Sequence, residues 1–133
     1  MMCAAAVTTL QPGKASVGLH LIGDLYGCQG DDQYFFDAGL LRDHCVALVR
    51  AAGLTVVGEY FHQFGEDGGV TGTVVLAESH LAIHTWPEKR YVTIDVYVCN
   101  YTTDNRPKAR HLFDNLVETF DPADLRFHAV NRE

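Results

Sequence analysis

Two short stretches of this chain hold residue types that could do chemistry together. Glu78-Ser79-His80-Leu81-Ala82-Ile83-His84-Thr85-Trp86-Pro87-Glu88 brings two hydroxyls, two imidazoles and two carboxylates into eleven residues. Asp95-Val96-Tyr97-Val98-Cys99 adds a thiol twenty residues after the serine. A serine hydroxyl is a weak nucleophile until a base takes its proton. An imidazole is the side chain best suited to moving protons near neutral pH. A thiol can serve as nucleophile or proton donor. The two stretches therefore hold a potential nucleophile and several groups able to move protons.

The elements around these residues decide whether they can meet. Val17 to Tyr26 alternates like a strand, and Gly27 to Asp32 breaks it. Asp31 or Asp32 can cap a helix from Gln33 to Ala52, with Phe36, Leu40, Leu41, Cys45 and Leu48 on its apolar side and Gly53 closing it. Leu54 to Phe64 is rich in Val, Tyr and Phe and reads as a strand, followed by a turn at Gly65 to Gly69. Val70 to Trp86 is strand-like, with an interruption expected near Glu78-Ser79. Pro87 to Arg90 is a turn, and Tyr91 to Asn100 is the clearest strand, with Val92, Ile94, Val96 and Val98 on one face. After a loop from Tyr101 to Pro107, Leu112, Leu116 and Phe120 recur at helical spacing within Lys108 to Phe120. Leu125 to Val130 makes a last strand.

The order is βαβββαβ. Strands joined by short turns pair antiparallel. The expected fold is thus α+β: a two-layer α/β sandwich with a mainly antiparallel sheet and both helices on one face. The uncovered face calls for a partner, and a homodimer is the simplest solution.

Register brings the two stretches together. If Pro87 to Arg90 is a four-residue turn, Trp86 pairs with Tyr91, and Cys99 then falls opposite Glu78, beside Ser79. Ser79 and His84 are five residues apart, so plain alternation puts them on opposite faces. Both can join one site only if the strand is broken or bulged between them, and bulges do occur beside active sites. An irregularity at or near Glu78 to His80 is therefore expected. His80 and His84 share a face but stand about 13 Å apart on a strand, too far for one metal ion. Pro87 and the β-rich flanks argue against the helix that would bring them closer.

Composition narrows the classes. The 133 residues fit one domain, read as 17–133 behind a loose extension at 1–16. A net charge of −7 argues against nucleic acid as a partner. No apolar run approaches the roughly 18 residues of a membrane span. Cys3, Cys28, Cys45 and Cys99 have neither CxxC spacing nor a disulfide framework, which reads as reduced thiols in the cytoplasm.

Glu-Ser-His-Leu-x-Ile-His-Thr-Trp-Pro-Glu followed by Asp-Val-Tyr-x-Cys resembles the small bacterial and archaeal class of S-adenosylmethionine decarboxylases. Gly18 to Cys28 resembles the family's opening strand. Phe61-His62-Gln63-Phe64 and Gly69-Val70-Thr71-Gly72 resemble the segment before its cleavage site. The resemblance runs from Val17 to the C-terminus. Singly, each of these residues has an ordinary reading as core, strand end or solvated turn; the joint pattern is what carries weight.

The resemblance implies a self-processing zymogen cut between Glu78 and Ser79. Ser79 would attack the Glu78 carbonyl, and elimination would leave a covalent pyruvoyl group at residue 79. Its ketone would form a Schiff base with the substrate amine and accept electrons as CO2 departs. The family pattern assigns His84 to proton transfer in processing, Cys99 to proton donation in decarboxylation, and Thr71 to supporting the cleavage. It gives Phe64 the adenine and Glu88 the ribose. It implies no metal and no nucleotide cofactor. The product would be the aminopropyl donor of spermidine biosynthesis, within the polyamine pathways.

Four features depart from the family pattern. Thr71 stands for a serine, the Gly65 to Gly69 turn is one residue longer and contains Glu66 and Asp67, Gln63 replaces a basic residue, and Lys89-Arg90 replaces Tyr-Gly. Relatives with the same cleavage motif resemble L-ornithine or L-arginine decarboxylases, whose cationic substrates Glu66 or Asp67 could pair with. A third reading is an unprocessed, non-catalytic relative that regulates a partner enzyme; Ser79, His84 and Cys99 together argue against it.

Overall fold

The computed structural model describes residues 17–100 and 103–133. The expected extension at 1–16 and the start of the Tyr101 loop lie outside the described residues. Six strands form one sheet: β1 (Gly18–Tyr26), β2 (Val56–Gln63), β3 (Val70–Leu76), β4 (Ser79–Trp86), β5 (Tyr91–Cys99) and β6 (Asp124–Arg132). Their order is β2-β3-β4-β5-β1-β6, and every neighbouring pair is antiparallel. The helices are α1 (Gln33–Phe36), α2 (Ala38–Ala51) and α3 (Arg106–Phe120), and a short 3₁₀ turn spans Pro87–Lys89.

The α+β class and the antiparallel sheet are as the sequence predicts, with two corrections. The segment Val70 to Trp86, counted as one strand with an interruption near Glu78-Ser79, breaks there into a hairpin of two strands. Leu76 pairs with Ser79, so Ala77-Glu78 is a two-residue turn, and Glu78 supplies the positive φ (66°) that such tight turns need. The helix expected from Gln33 to Ala52 is two. Asp37 takes an extended conformation (φ −111°, ψ 101°), and its carboxylate caps α2 by accepting from the Leu40 amide at 3.0 Å. That break shifts the helical phase, so Phe35 is fully buried and Phe36 is exposed.

Alternation gives the sheet two unlike faces. Leu21, Leu25, Val70, Val74, Leu81, Ile83, Val92, Ile94, Val96 and Val98 are buried beneath the helices. Leu41, Cys45 and Val49 of α2 and Leu112, Phe113, Leu116 and Phe120 of α3 pack onto them. Fully burying each such side chain contributes roughly 1.5–3 kcal/mol. Gly23 makes room for α3: a Cβ there would lie 2.6 Å from the Phe113 ring. Thr85 is the buried polar residue of this layer. It accepts from the Val70 amide at 2.8 Å and donates to the Phe35 carbonyl at 2.9 Å, so its hydroxyl is satisfied.

The opposite face carries His20, Asp24, Thr71, Thr73, His80, His84, Thr93, Asp95, Tyr97 and Cys99, all half-buried. No helix of the described residues covers it.

Candidate active site

Trp86 pairs with Tyr91, as the turn length predicts, and the ladder runs back to His80 opposite Tyr97. The ladder stops two residues short of Cys99, whose partner on its other side is Gly18. The tip of the β3–β4 hairpin thus sits beside the end of β5. Ala77 and Glu78 are exposed, and the peptide bond joining Glu78 to Ser79 is held in a turn on the surface. A non-glycine residue in the left-handed region costs roughly 1–3 kcal/mol, so the backbone is strained next to the serine. Ser79 donates its hydroxyl to the Ala77 carbonyl at 3.3 Å across the turn.

Cys99 is half-buried and free. The other two described cysteines differ. Burial pushes the Cys28 thiol up to about 11 and the Cys45 thiol up to about 12. Both stay protonated and unreactive at neutral pH.

His84 stands at the far end of β4, on the uncovered face. Its Nδ1 is 3.1 Å from the Thr71 hydroxyl, directly across the strand pair. Its ring leans on Trp86 with centroids 6.0 Å apart. A cavity of about 400 Å³ opens here, lined by Phe64, Thr71, His84, Trp86 and Glu88 along with Gly68 and Gly69. Gly69 is dictated by packing, since a Cβ would lie 1.9 Å from the Thr85 carbonyl. Phe64 is 55% exposed at the rim, which offers an aromatic face to a ligand. Glu88 is exposed on the 3₁₀ turn.

The expected site residues therefore form two groups. Phe64, Thr71, His84 and Glu88 gather around the cavity. Ser79 and Cys99 stand at the other end of β4, about 16 Å away by strand rise. The irregularity expected at or near Glu78 to His80 is the Ala77-Glu78 turn, and it does not fall between Ser79 and His84. β4 runs unbroken from Ser79 to Trp86, so Ser79 and His84 remain on opposite faces of one strand. The turn absorbed the irregularity because a two-residue hairpin closes the ladder without a bulge.

Three of the departures from the family pattern have structural explanations. Gln63 accepts from the Ala38 amide at 2.7 Å and donates to the Gly68 carbonyl at 3.3 Å, tying the start of α2 to the β2–β3 turn. Arg90 donates to the carbonyls of Cys28 and Gly30, pairs with Asp32 and stacks on Phe35. It fastens the loop after β1 and does not line the cavity. Glu66 and Asp67 are exposed and do not line it either. Sequence reasoning missed Trp86 as a cavity wall, although its parity with His84 was available. It also missed that His20, His80 and Asp95 converge on the uncovered face; only the pairing of three separate strands shows this.

The fold and this site define a two-layer α+β enzyme domain with a strained, exposed Glu-Ser turn and a separate polar cavity on one sheet. Residues 19–133 match the model of the S-adenosylmethionine decarboxylase family. The S-adenosylmethionine decarboxylase proenzyme of Pyrobaculum arsenaticum is 42% identical over 110 residues, covering 83% of this chain and 83% of that one. The proenzyme of the same name from Archaeoglobus fulgidus is 36% identical over 116 residues, covering 87% of this chain and 97% of that one. The crystal structure of the adenosylmethionine decarboxylase from Aquifex aeolicus superposes with a TM-score of 0.78 at 32% identity, covering 90% of this chain and 92% of that chain. The chain belongs to the S-adenosylmethionine decarboxylase family, and is an enzyme of the decarboxylase class.

Proposed function

We propose that this chain is the proenzyme of a pyruvoyl-dependent decarboxylase of S-adenosylmethionine, cut by its own Ser79 into residues 1–78 and 79–133 of a single catalytic domain. The observation that carries the reading is the exposed, left-handed Glu78 immediately before Ser79, in a chain matching the family from residue 19 to its end. Ser79 Oγ attacks the Glu78 carbonyl carbon, and the acyl group moves from nitrogen to oxygen. The peptide bond becomes an ester, and the turn strain is released as it does so. Loss of the α-proton of residue 79 expels the Glu78 carboxylate and cuts the chain. Water then releases the nitrogen as ammonia and leaves the ketone.

The residues fit the group that results. Residue 79 becomes a chain terminus at the tip of β4, untethered from Glu78 and free to turn toward Cys99 on the uncovered face. The pyruvoyl ketone supplies an electron sink for the carboxyl group being lost. Cys99 donates the proton that replaces it. Phe64 offers its ring to the adenine and to the sulfonium cation, and Glu88 its carboxylate to the ribose hydroxyls.

His84 and Thr71 act on Ser79 across a homodimer. Within one chain, about 16 Å of β4 separates them. The uncovered face is half-buried, polar and without a covering layer, which supports packing against a second copy. Such packing brings His84 of the partner subunit, oriented by its threonine, to the hairpin tip. The three described cysteines are free, which supports a reducing, cytoplasmic setting. No described helix is long and apolar enough to cross a membrane. The product is the aminopropyl donor for spermidine synthesis. Release of CO2 from carboxyl-labelled S-adenosylmethionine, L-ornithine and L-arginine in parallel tests the substrate. Release from S-adenosylmethionine alone is expected. The ornithine or arginine alternative is not favoured, because the curated relatives named above carry the S-adenosylmethionine activity and Glu66 and Asp67 do not line the cavity. CO2 release by a Ser79→Ala protein would sink the pyruvoyl mechanism.

A further inference from the structure

His20 on β1, Asp95 on β5 and His80 on β4 occupy three adjacent strands and point out of the same face. Both histidines sit directly across from Tyr97, one from either side, and Asp95 is two residues along β5 from it. Their ligand atoms all lie within 4.8 Å of one another. His20 Nε2 is hydrogen-bonded to Asp95 Oδ1, and His80 Nε2 lies 4.0 Å from the same oxygen. The Tyr97 ring packs against both imidazoles, at 5.8 and 5.7 Å between centroids, and limits how far they can turn. Asp95 pairs with these histidines and with no Lys or Arg among the described residues; Arg132 stacks over the Tyr97 ring instead. His20 donates its Nε2–H to the Asp95 carboxylate, and a cation bound between the three side chains would take the place of that proton.

We propose that His20, His80 and Asp95 form a binding site for a borderline divalent transition ion such as Zn²⁺. Two imidazoles and one carboxylate suit such ions, whereas Mg²⁺ and Ca²⁺ prefer all-oxygen shells. Bonds of about 2.0–2.2 Å set tetrahedral donors about 3.4 Å apart, so rotamer adjustment would bring His80 in and let His20 and Asp95 part to admit the ion, a short movement from the spacing above. The strands hold the three Cα positions rigidly, so the site is preorganised by the ladder rather than by a loop. The fourth coordination position faces outward from the sheet, open to water or to a group from another molecule. The site stands on the strand register alone and does not depend on the chain being cut.

The test is metal uptake by the full chain, stripped with chelator and then dialysed against Co²⁺ or Zn²⁺. The metal content, the visible cobalt spectrum and the melting temperature are read for the unaltered protein, His80→Gln, Asp95→Asn and Cys99→Ser. The expected result is about one ion per chain, a raised melting temperature and a cobalt spectrum of nitrogen and oxygen ligands, as coordination stabilises the folded state. His80→Gln should lose at least tenfold in affinity, and Cys99→Ser should keep it. His80 is solvent-accessible, so His80→Gln should fold, which circular dichroism checks. Absence of stoichiometric uptake, or uptake that persists in His80→Gln, or uptake lost in Cys99→Ser, would overturn the site. Running the series on the Ser79→Ala background separates it from the processing reading.

Discussion

The two faces of the sheet are made by the same strands, yet they follow different rules. On β4, Leu81, Ile83 and Thr85 lie under the helices, while His80, Ala82 and His84 alternate with them on the other side. The covered face is apolar, close-packed and closed within one chain. Its one buried hydroxyl has both a donor and an acceptor partner. The uncovered face collects imidazoles, carboxylates, hydroxyls and a thiol at half-burial, and its groups find only some of their partners within the chain. A face that is completed internally stabilises the fold. A face that is left incomplete can take a second copy, a substrate or an ion. The contrast teaches that most of the polar residues expected to do chemistry stand where packing within the protomer does not dictate the residue, while Ser79 sits at the hairpin end of the strand.

Five experiments sharpen or break that contrast, beginning with the largest effect. Ser79→Ala should remain a single 14.7 kDa chain, seen intact by mass spectrometry, with no turnover. His84→Ala alone should also fail to cut. Co-expressing the two should restore cleavage of the His84→Ala chain, because its serine meets the intact histidine of the other copy. Absence of cleavage in that mixture would return the whole site to one protomer. Next, Cys99→Ala should still be cut but lose about 10²–10⁴ in turnover, the usual span for a proton-transfer group. The thiols themselves can be compared: iodoacetamide at pH 8 should label Cys99 ahead of Cys28 and Cys45, whose thiols burial holds near 11 and 12.

On the covered face, Ile83→Ala should cost about 2–5 kcal/mol in urea unfolding, as a buried deletion leaving a cavity. Protein that folds should still be cut at its usual site. If Ile83→Ala instead blocked cleavage at full stability, the division between the faces would be wrong. Smallest is Thr71→Val, which keeps the shape and removes the hydroxyl at 3.1 Å from His84. Losing one hydrogen bond of about 1 kcal/mol should slow cleavage roughly fivefold, with stability unchanged. Thr71→Ser should restore the rate, and a time course of band splitting measures both.

Much of this was legible in the chain itself. The period-2 run from Tyr91 to Asn100 gave a strand with Val92, Ile94, Val96 and Val98 on one face, and that face is the buried one of the strand Tyr91–Cys99. The Pro87 turn gave the β4–β5 register. The departures at Gln63 and Arg90 were less legible. Read along the sequence they flank a pocket; in space Gln63 bonds to Ala38 and Arg90 to Cys28 and Gly30. Those partners are 25, 62 and 60 residues away, beyond the reach of local pattern.

Local sequence determined what depends on neighbours a few residues away. Hydrophobic period, turn residues and side-chain parity determined most of the strands and the helix-facing set, while the chemistry expected at Glu78-Ser79 came from the motif's resemblance to a family. Tertiary structure decided what depends on which strands lie side by side. It split Val70 to Trp86 at a two-residue turn and put Thr71 against His84. It also separated Ser79 from the cavity along an unbroken strand, and drew His20, His80 and Asp95 together from three strands. The reason is physical: alternation assigns a residue to a face, but only the hydrogen-bonded order of strands assigns its neighbours across that face.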